Sequence, residues 1–258
     1  KFGLPVSTTQ AIVGSIVGWN LYTGSSTDIK VLVTILSTWV LCPIITGIIA
    51  MLFYSLTKKL LNNSKLHILR VDAYTRTALL LAGAFGAYSL GANNIANVMG
   101  VFVPIAPFSD INLTSFFIFS SKEQLFLIGG LAIAVGVFTY SKKVMYTVGN
   151  DLLKMSPVAA FIVVIAHSIV LFLFASQGIS NFLQSLNLPS IPLVPVSSSQ
   201  AVVGAVIGIG LLKGGKEVQW SIAGRISLGW IALPVMSAFV AIIILFILEN
   251  IFGASIKF

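Results

Sequence analysis

The sequence has few charged residues and very little cysteine or histidine. Charged side chains make up 9% of the 258 residues, whereas 57% are hydrophobic and the mean hydropathy is +1.02. Soluble domains carry about 25% charged residues, so this composition lacks the polar surface that a water-exposed fold requires. The single cysteine, Cys42, lies in an apolar stretch and excludes an intrachain disulfide.

The patterns that accompany enzymatic catalysis are also missing. The sequence contains no Ser-His-Asp set at plausible spacing, no Cys/His metal cluster and no phosphate-binding P-loop. We therefore expect neither an enzyme nor a transition-metal site. The net charge of +8 does not indicate a nucleic-acid partner, because the basic residues lie between apolar segments, where membrane topology accounts for them.

Long apolar segments are the main feature that is present. A helix needs about 20 mostly apolar residues to cross a bilayer. We therefore predict an all-α, multi-pass protein of the cell membrane, whose third helix is interrupted near Gly91. The candidate helices are Pro5–Leu21, Ile29–Tyr54, Thr77–Val103, Leu125–Tyr140, Pro157–Phe174, Pro195–Leu212 and Trp220–Leu248.

The connecting segments differ in charge. Ser55–Arg76, Ser141–Ser156 and the segment after Leu212 are rich in lysine and arginine. Pro104–Gln124 has a single lysine, and Gln177–Val194 has no charged residue. The positive-inside rule places the first three in the cytoplasm and the other two outside.

A polar Pro-Val-Ser segment occurs twice, at Pro5–Gln10 and Pro195–Gln200. The next helix of each copy carries Trp-x-x-x-Pro, beginning at Trp39 and Trp230, at nearly the same offset. This regularity indicates a duplication. The predicted topology makes the first copy run outward and the second inward.

Repeats of opposite orientation are typical of secondary transporters, which bind their substrates on interrupted helices near the bilayer centre. We predict inverted-topology repeats with interrupted or re-entrant helices. Residues 1–76 would be the remainder of the first repeat with a basic cytoplasmic linker, and residues 77–258 the second repeat. Whether the Pro-Val-Ser elements span the membrane or re-enter it stays open.

Each Pro-Val-Ser segment predicts the start of a helix that is rich in hydroxyl groups. A helix N-terminus combines free N–H groups with a partial positive charge and so suits an oxyanion. The alternative is simple capping, because Ser7 with Gln10 and Ser197 with Gln200 match a capping box. The hydroxyls expected to face an anion are those of Ser7, Thr8, Thr9, Ser197, Ser198 and Ser199.

Asn93, Asn94 and Asn97 form a second polar cluster. Their amide oxygens, with carbonyls freed by a break near Gly91, would suit Na⁺; the alternative is hydrogen bonding between helices. His167 lies in an apolar helix, either as a proton relay or as a hydrogen-bonded neutral side chain.

These motifs together resemble the inorganic phosphate transporter (PiT) family. Gly91–Asn97 is similar to its Gly-Ala/Ser-Asn-Asp-x-x-Asn signature, and the two Pro-Val-Ser segments are similar to its Pro-Val-Ser-Thr-Thr elements. Thr147–Leu152 lies where the family has a Thr-Val-Gly segment. The resemblance covers nearly the whole chain. It implies a secondary phosphate transporter and a homodimer.

Carried over by position, the two hydroxyl runs and Asn94 would bind phosphate. Asn93, Asn94, Asn97, Gln10 and Gln200 would bind Na⁺, the coupling ion, with no other cofactor. Asn94 stands where relatives often carry Asp, and the two glutamines stand where many have His. Because Gln does not titrate, Na⁺ coupling is favoured over H⁺ coupling.

We therefore expect Na⁺-coupled phosphate import. The alternatives are H⁺ coupling, transport of another oxyanion, or a passive anion channel. The family's first signature is not found. The spacing within the second half predicts its position about 96 residues before Lys1, so we expect roughly a hundred further N-terminal residues.

Overall fold

The computed structural model describes residues 5–64, 67–114 and 117–256. Helices dominate this part of the chain, and a short antiparallel hairpin joins two of them. The helices are α1 (Thr8–Thr23), α2 (Ile29–Asn63), α3 (Ile68–Met99), α4 (Ser121–Tyr146), α5 (Pro157–Ala175), α6 (Gln177–Ser185), α7 (Ser198–Leu212) and α8 (Trp220–Asn250), and the strands are β1 (Ile111–Thr114) and β2 (Phe117–Phe119).

The described residues include four helices that are long and apolar enough to cross a membrane. They are α2, α4 with its π-helical extension Thr147–Asp151, α5 and α8. The apolar helix α7 is shorter, with 15 residues. Together with the exposed apolar side chains along α4 and α8, these helices define a multi-pass membrane protein.

The predicted interruption of the third helix is wrong. Helix α3 runs without a break from Ile68 to Met99 and passes through Gly91. A single glycine costs an α-helix only about 1 kcal/mol, whereas a break exposed to lipid leaves several backbone groups unpaired. The helix is followed instead by a 3₁₀ segment, Gly100–Ile105. A cation site on α3 therefore has to rely on side chains near Gly91.

The basic segment Ser55–Arg76 is also more helical than predicted. Helix α2 extends to Asn63, and α3 begins at Ile68 with the His67 Nδ1 as its cap, 3.4 Å from the Leu69 N–H. Leucine and lysine favour helix, and the ends that leave the membrane can be solvated. Helix α4 likewise exceeds the predicted Leu125–Tyr140.

Both segments predicted to lie outside contain structure that the sequence did not indicate. The first carries the β1–β2 hairpin, in which Ile111 pairs with Phe119. A complete capping box then opens α4, because Ser120 and Glu123 each accept the other's backbone N–H. The second carries the short helix α6.

The helices of the two copies pack reciprocally. In α1, Gly14 and Gly18 contact Pro234 and Ala238 of α8. Because the contacting residue numbers rise together along the two helices, α1 and α8 run parallel. A Cβ added at Gly18 would lie 2.5 Å from the carbonyl oxygen of Ala238, so the helices meet backbone to backbone.

The second pair repeats the arrangement with the copies exchanged. In α7, Gly204 and Gly208 contact Pro43 and Gly47 of α2, so α7 is parallel to α2. The short connection after α1 reverses the chain into α2. Helices α1 and α7 consequently run in opposite directions.

Candidate functional site

The first turns of α1 and α7 meet at one point, which we call the helix-start junction (residues 5–10 and 195–200). The Thr9 hydroxyl donates to the carbonyl oxygen of Val196 at 3.3 Å. On the other side of α1, the Trp230 Nε1–H donates to the carbonyl oxygen of Pro5 at 3.2 Å. Both contacts tie one copy of the duplicated segment to the other half of the chain.

Helix α3 holds the junction together through two asparagines. The Asn93 side chain donates to the Val196 carbonyl oxygen at 2.9 Å and accepts from the Val196 N–H at 3.2 Å. The Asn97 Nδ2 donates to the Thr9 hydroxyl oxygen at 2.9 Å. Asn93 and Asn97 thus bond to opposite copies, which positions the two helix starts relative to each other.

The junction lies between two helices that are each about half as long as a bilayer is thick. From it α1 extends about 24 Å and α7 about 22 Å, at 1.5 Å per residue, in opposite directions. Their sum of about 46 Å is close to the thickness of a bilayer with its headgroups, about 40–45 Å. With both helices along the bilayer normal, the two N-termini would meet near the bilayer centre.

The predicted hydroxyls have different tasks. Ser7 and Ser197 are buried and each caps its helix, accepting the backbone N–H of Gln10 or Gln200 at 3.3 Å. Thr9 is buried and bonded to both Val196 and Asn97.

Three hydroxyls of the two runs are less engaged. Ser198 is half-buried and Thr8 is exposed. Ser199 is half-buried and bonds to the Ser197 hydroxyl at 3.2 Å. Asn94 is half-buried too, and its oxygen accepts from Asn93 at 3.3 Å. These four side chains are the accessible polar groups around the junction.

The two glutamines do not complete capping boxes. Gln10 and Gln200 are buried, and within the part of the chain that the structure describes their side-chain oxygens have no hydrogen-bond donor. The capping interpretation thus accounts for the serines but not for the glutamines. A buried acceptor without a donor costs free energy. Because neither glutamine oxygen has a donor, both are available as ligands for a cation.

A cavity of about 370 Å³ opens beside the junction. Its wall includes Asn93, Asn97, Phe174 and Pro195. Among the described residues that form the junction and line this cavity, none carries a charge. Binding of an anion there would rest on helix N-termini, amides and hydroxyls.

His167 is buried in α5, and its Nε2 has no partner among the described residues. Among the described residues no hydrogen bond links it to the junction, and both of its predicted roles, a proton relay and a hydrogen-bonded neutral side chain, stay predictions. The sequence did not predict that Trp230 contacts Pro5 of the first copy. The Trp-x-x-x-Pro repeat singles out this tryptophan but does not indicate its partner.

The fold and the site define a helical multi-pass membrane protein with two polar helix starts at its centre. The model of the phosphate transporter family matches residues 1–181 and 186–257. The chain belongs to that phosphate transporter family. This agrees with the resemblance of its motifs.

Individual proteins that are similar to this chain support the same family assignment. A candidate phosphate permease of Methanocaldococcus jannaschii is 27% identical over 93% of this chain and 68% of its own length. The human sodium-dependent phosphate transporter 1 is 25% identical over 60% of this chain and 21% of its own length. A solved structure, "The sodium-dependent phosphate transporter", superposes with a TM-score of 0.53 at 21% identity. The superposition covers 94% of this chain and 64% of that one, and it supports the fold.

Proposed function

We propose that the protein imports inorganic phosphate together with Na⁺ and holds the anion between the N-termini of α1 and α7. The observation that carries this proposal is the convergence of two capped helix starts, bridged by Asn93 and Asn97. Opposed helix N-termini can surround a tetrahedral oxyanion without a basic side chain.

The accessible polar groups are the proposed phosphate ligands. Thr8, Ser198 and Ser199 would donate their hydroxyls, and the Asn94 amide would complete the contact. Ser7, Thr9 and Ser197 are buried and would act by holding the helix starts in place, through the two caps and the bond from Thr9 to Val196.

Na⁺ is proposed as the coupling ion because neutral oxygens are available and acids are not. Gln10 and Gln200 each offer a buried oxygen, and Asn93, Asn94 and Asn97 lie in the same region. Amide oxygens suit a monovalent hard cation, and their neutrality leaves the site insensitive to protonation.

The reciprocal packing of α1 with α8 and of α7 with α2 supports the proposed inverted repeats, with residues 1–76 in the first and 77–258 in the second. A homodimer is part of the same proposal.

Transport of ³²P-labelled phosphate into liposomes tests the function. We expect saturable uptake that needs an inward Na⁺ gradient and is reduced at least tenfold by Ser198→Ala, because the helix start then loses a donor to the anion. Ser37→Ala is the matched control, since among the described residues the Ser37 hydroxyl bonds only within its own helix, to the Val33 carbonyl oxygen 2.8 Å away.

Uptake driven equally well by a proton gradient without Na⁺ would identify the H⁺-coupled alternative. Sulfate or arsenate that competes better than phosphate would change the assigned anion. Flux that does not saturate would indicate a channel.

A further inference from the structure

A second polar cavity lies far from the junction, at the cytoplasmic ends of α2 and α7. Its volume is about 470 Å³, and its wall includes Tyr54, Lys58, Lys59, Asn62 and Lys213. Among the residues that the structure describes, this wall has three lysines and no acidic side chain. Three ammonium groups around one concavity create a positive potential.

The lysines are poorly neutralised by the protein. In the described part of the chain, neither Lys58 nor Lys59 has an ionic or hydrogen-bonded partner through its side chain. Lys213 lies with its Nζ 5.8 Å from the centre of the Tyr54 ring and 3.9 Å from a Glu217 carboxylate oxygen. Glu217 itself lines a neighbouring cavity. Of these three lysines, only Lys213 therefore has an acidic partner in the described part of the chain.

The cavity adjoins an apolar surface of the same helix. Leu52 and Leu56 are 62% and 56% exposed and lie about two turns and one turn, respectively, toward the membrane from Lys59. Residues three, four and seven apart share a helix face, so these leucines and Lys59 form one stripe. A basic cavity at the level of the headgroups thus continues into a surface that faces acyl chains.

We propose that this cavity binds the phosphate headgroup of an anionic lipid from the cytoplasmic leaflet, whose acyl chains lie along Leu52 and Leu56. Basic pockets between membrane helices on the cytoplasmic side are suited to such headgroups. Topology alone requires positive charge on this side, but it does not require lysines, amides and a hydroxyl around one cavity.

The experiment uses the protein in nanodiscs of phosphatidylcholine with about one tenth phosphatidylglycerol. Spin-labelled phosphatidylglycerol and phosphatidylcholine report the relative association constant of the two lipids. Each lysine near an anionic surface contributes about 1 kcal/mol, or about a fivefold preference. We therefore expect Lys59→Gln with Lys213→Gln to reduce the preference for phosphatidylglycerol by at least fivefold.

The control is Lys142→Gln with Lys143→Gln, which removes the same charge from the cytoplasmic end of α4, outside this cavity. We expect it to keep the preference. Equal loss in both variants would show diffuse attraction and overturn the proposal, as would no loss in either. Displacement of the spin-labelled lipid by inorganic phosphate at low millimolar concentration would assign the cavity to the free anion and overturn the lipid assignment. Circular dichroism checks that each variant is folded.

Discussion

At the scale of single residues, the two copies of the duplicated segment share most of their bonds but not all. Ser7 and Ser197 make the same capping bond, and Gln10 and Gln200 have the same unpaired oxygen in the described part of the chain. The sequence predicted these pairs, because local patterns determine helix caps. It could not predict which hydroxyls remain accessible, since that depends on tertiary contacts such as the bond from Asn97 of α3 to Thr9.

The indoles of Trp39 and Trp230 differ although their positions correspond. The Trp230 Nε1–H bonds to the Pro5 carbonyl oxygen, whereas the buried Nε1–H of Trp39 has no acceptor among the described residues. Replacing either by Phe removes the same volume. We expect Trp230→Phe to lower the free energy of unfolding by about 1–3 kcal/mol more than Trp39→Phe does, because it leaves the buried Pro5 carbonyl oxygen unpaired. Thermal unfolding in detergent measures this difference, and equal effects would contradict it.

The glutamine oxygens give a second prediction at this scale. If Gln200 is a ligand of Na⁺, Gln200→Met should raise the Na⁺ concentration for half-maximal phosphate uptake about tenfold, equivalent to about 1.4 kcal/mol of lost binding. Stability should not fall, since a buried acceptor without a donor is removed. Gln177→Met on the exposed start of α6 is the control. An unchanged Na⁺ dependence in Gln200→Met would remove this residue from the cation site.

At the scale of helices, the sequence predicted α1, α5, α7 and α8 to within about three residues at each end, because long apolar runs leave few alternatives in a bilayer. The ends of α5 and α8 differ little from expectation. The errors concern Gly91, the basic segment Ser55–Arg76 and both ends of α4, where local patterns compete with backbone hydrogen bonding. The chain is helical at Gly91 and over most of Ser55–Arg76.

Two glycine substitutions test this difference. A Cβ at Gly204 would clash with the carbonyl oxygen of Pro43, whereas one at Gly91 meets no atom of the described residues within 4 Å. We expect Gly204→Ala to destabilise the protein by about 1–3 kcal/mol through overpacking. Gly91→Ala should be neutral or stabilising by up to about 1 kcal/mol, as expected inside a helix. Marked destabilisation by Gly91→Ala would argue for an interrupted α3.

At the scale of the whole molecule, we expect the far ends of α1 and α7 on opposite faces of the membrane, because the two helices run in opposite directions. The segment Gly24–Asp28 follows α1, and Lys213–Gln219 follows α7. The only native cysteine, Cys42, is fully buried, so that labelling of an introduced cysteine has little background.

An impermeant maleimide applied to intact cells should therefore label Ser26→Cys but not Lys216→Cys. Both positions are exposed. Permeabilising the cells should allow both to react, which controls for accessibility. Labelling of Lys216→Cys from outside would reverse the topology, and labelling of both from outside would contradict the opposed directions of α1 and α7.

The sequence by itself determined the membrane class, the approximate spans, the duplication and the family resemblance, because hydropathy, charge asymmetry and repeated motifs are properties of the chain. Only the tertiary structure decided that Asn93 and Asn97 bridge the two helix starts, and that Thr9 is engaged while Ser198 is accessible. The physical reason is distance along the chain. Residues about a hundred positions apart meet only through the packing of whole helices, here of α3 on α5, of α1 on α8 and of α7 on α2.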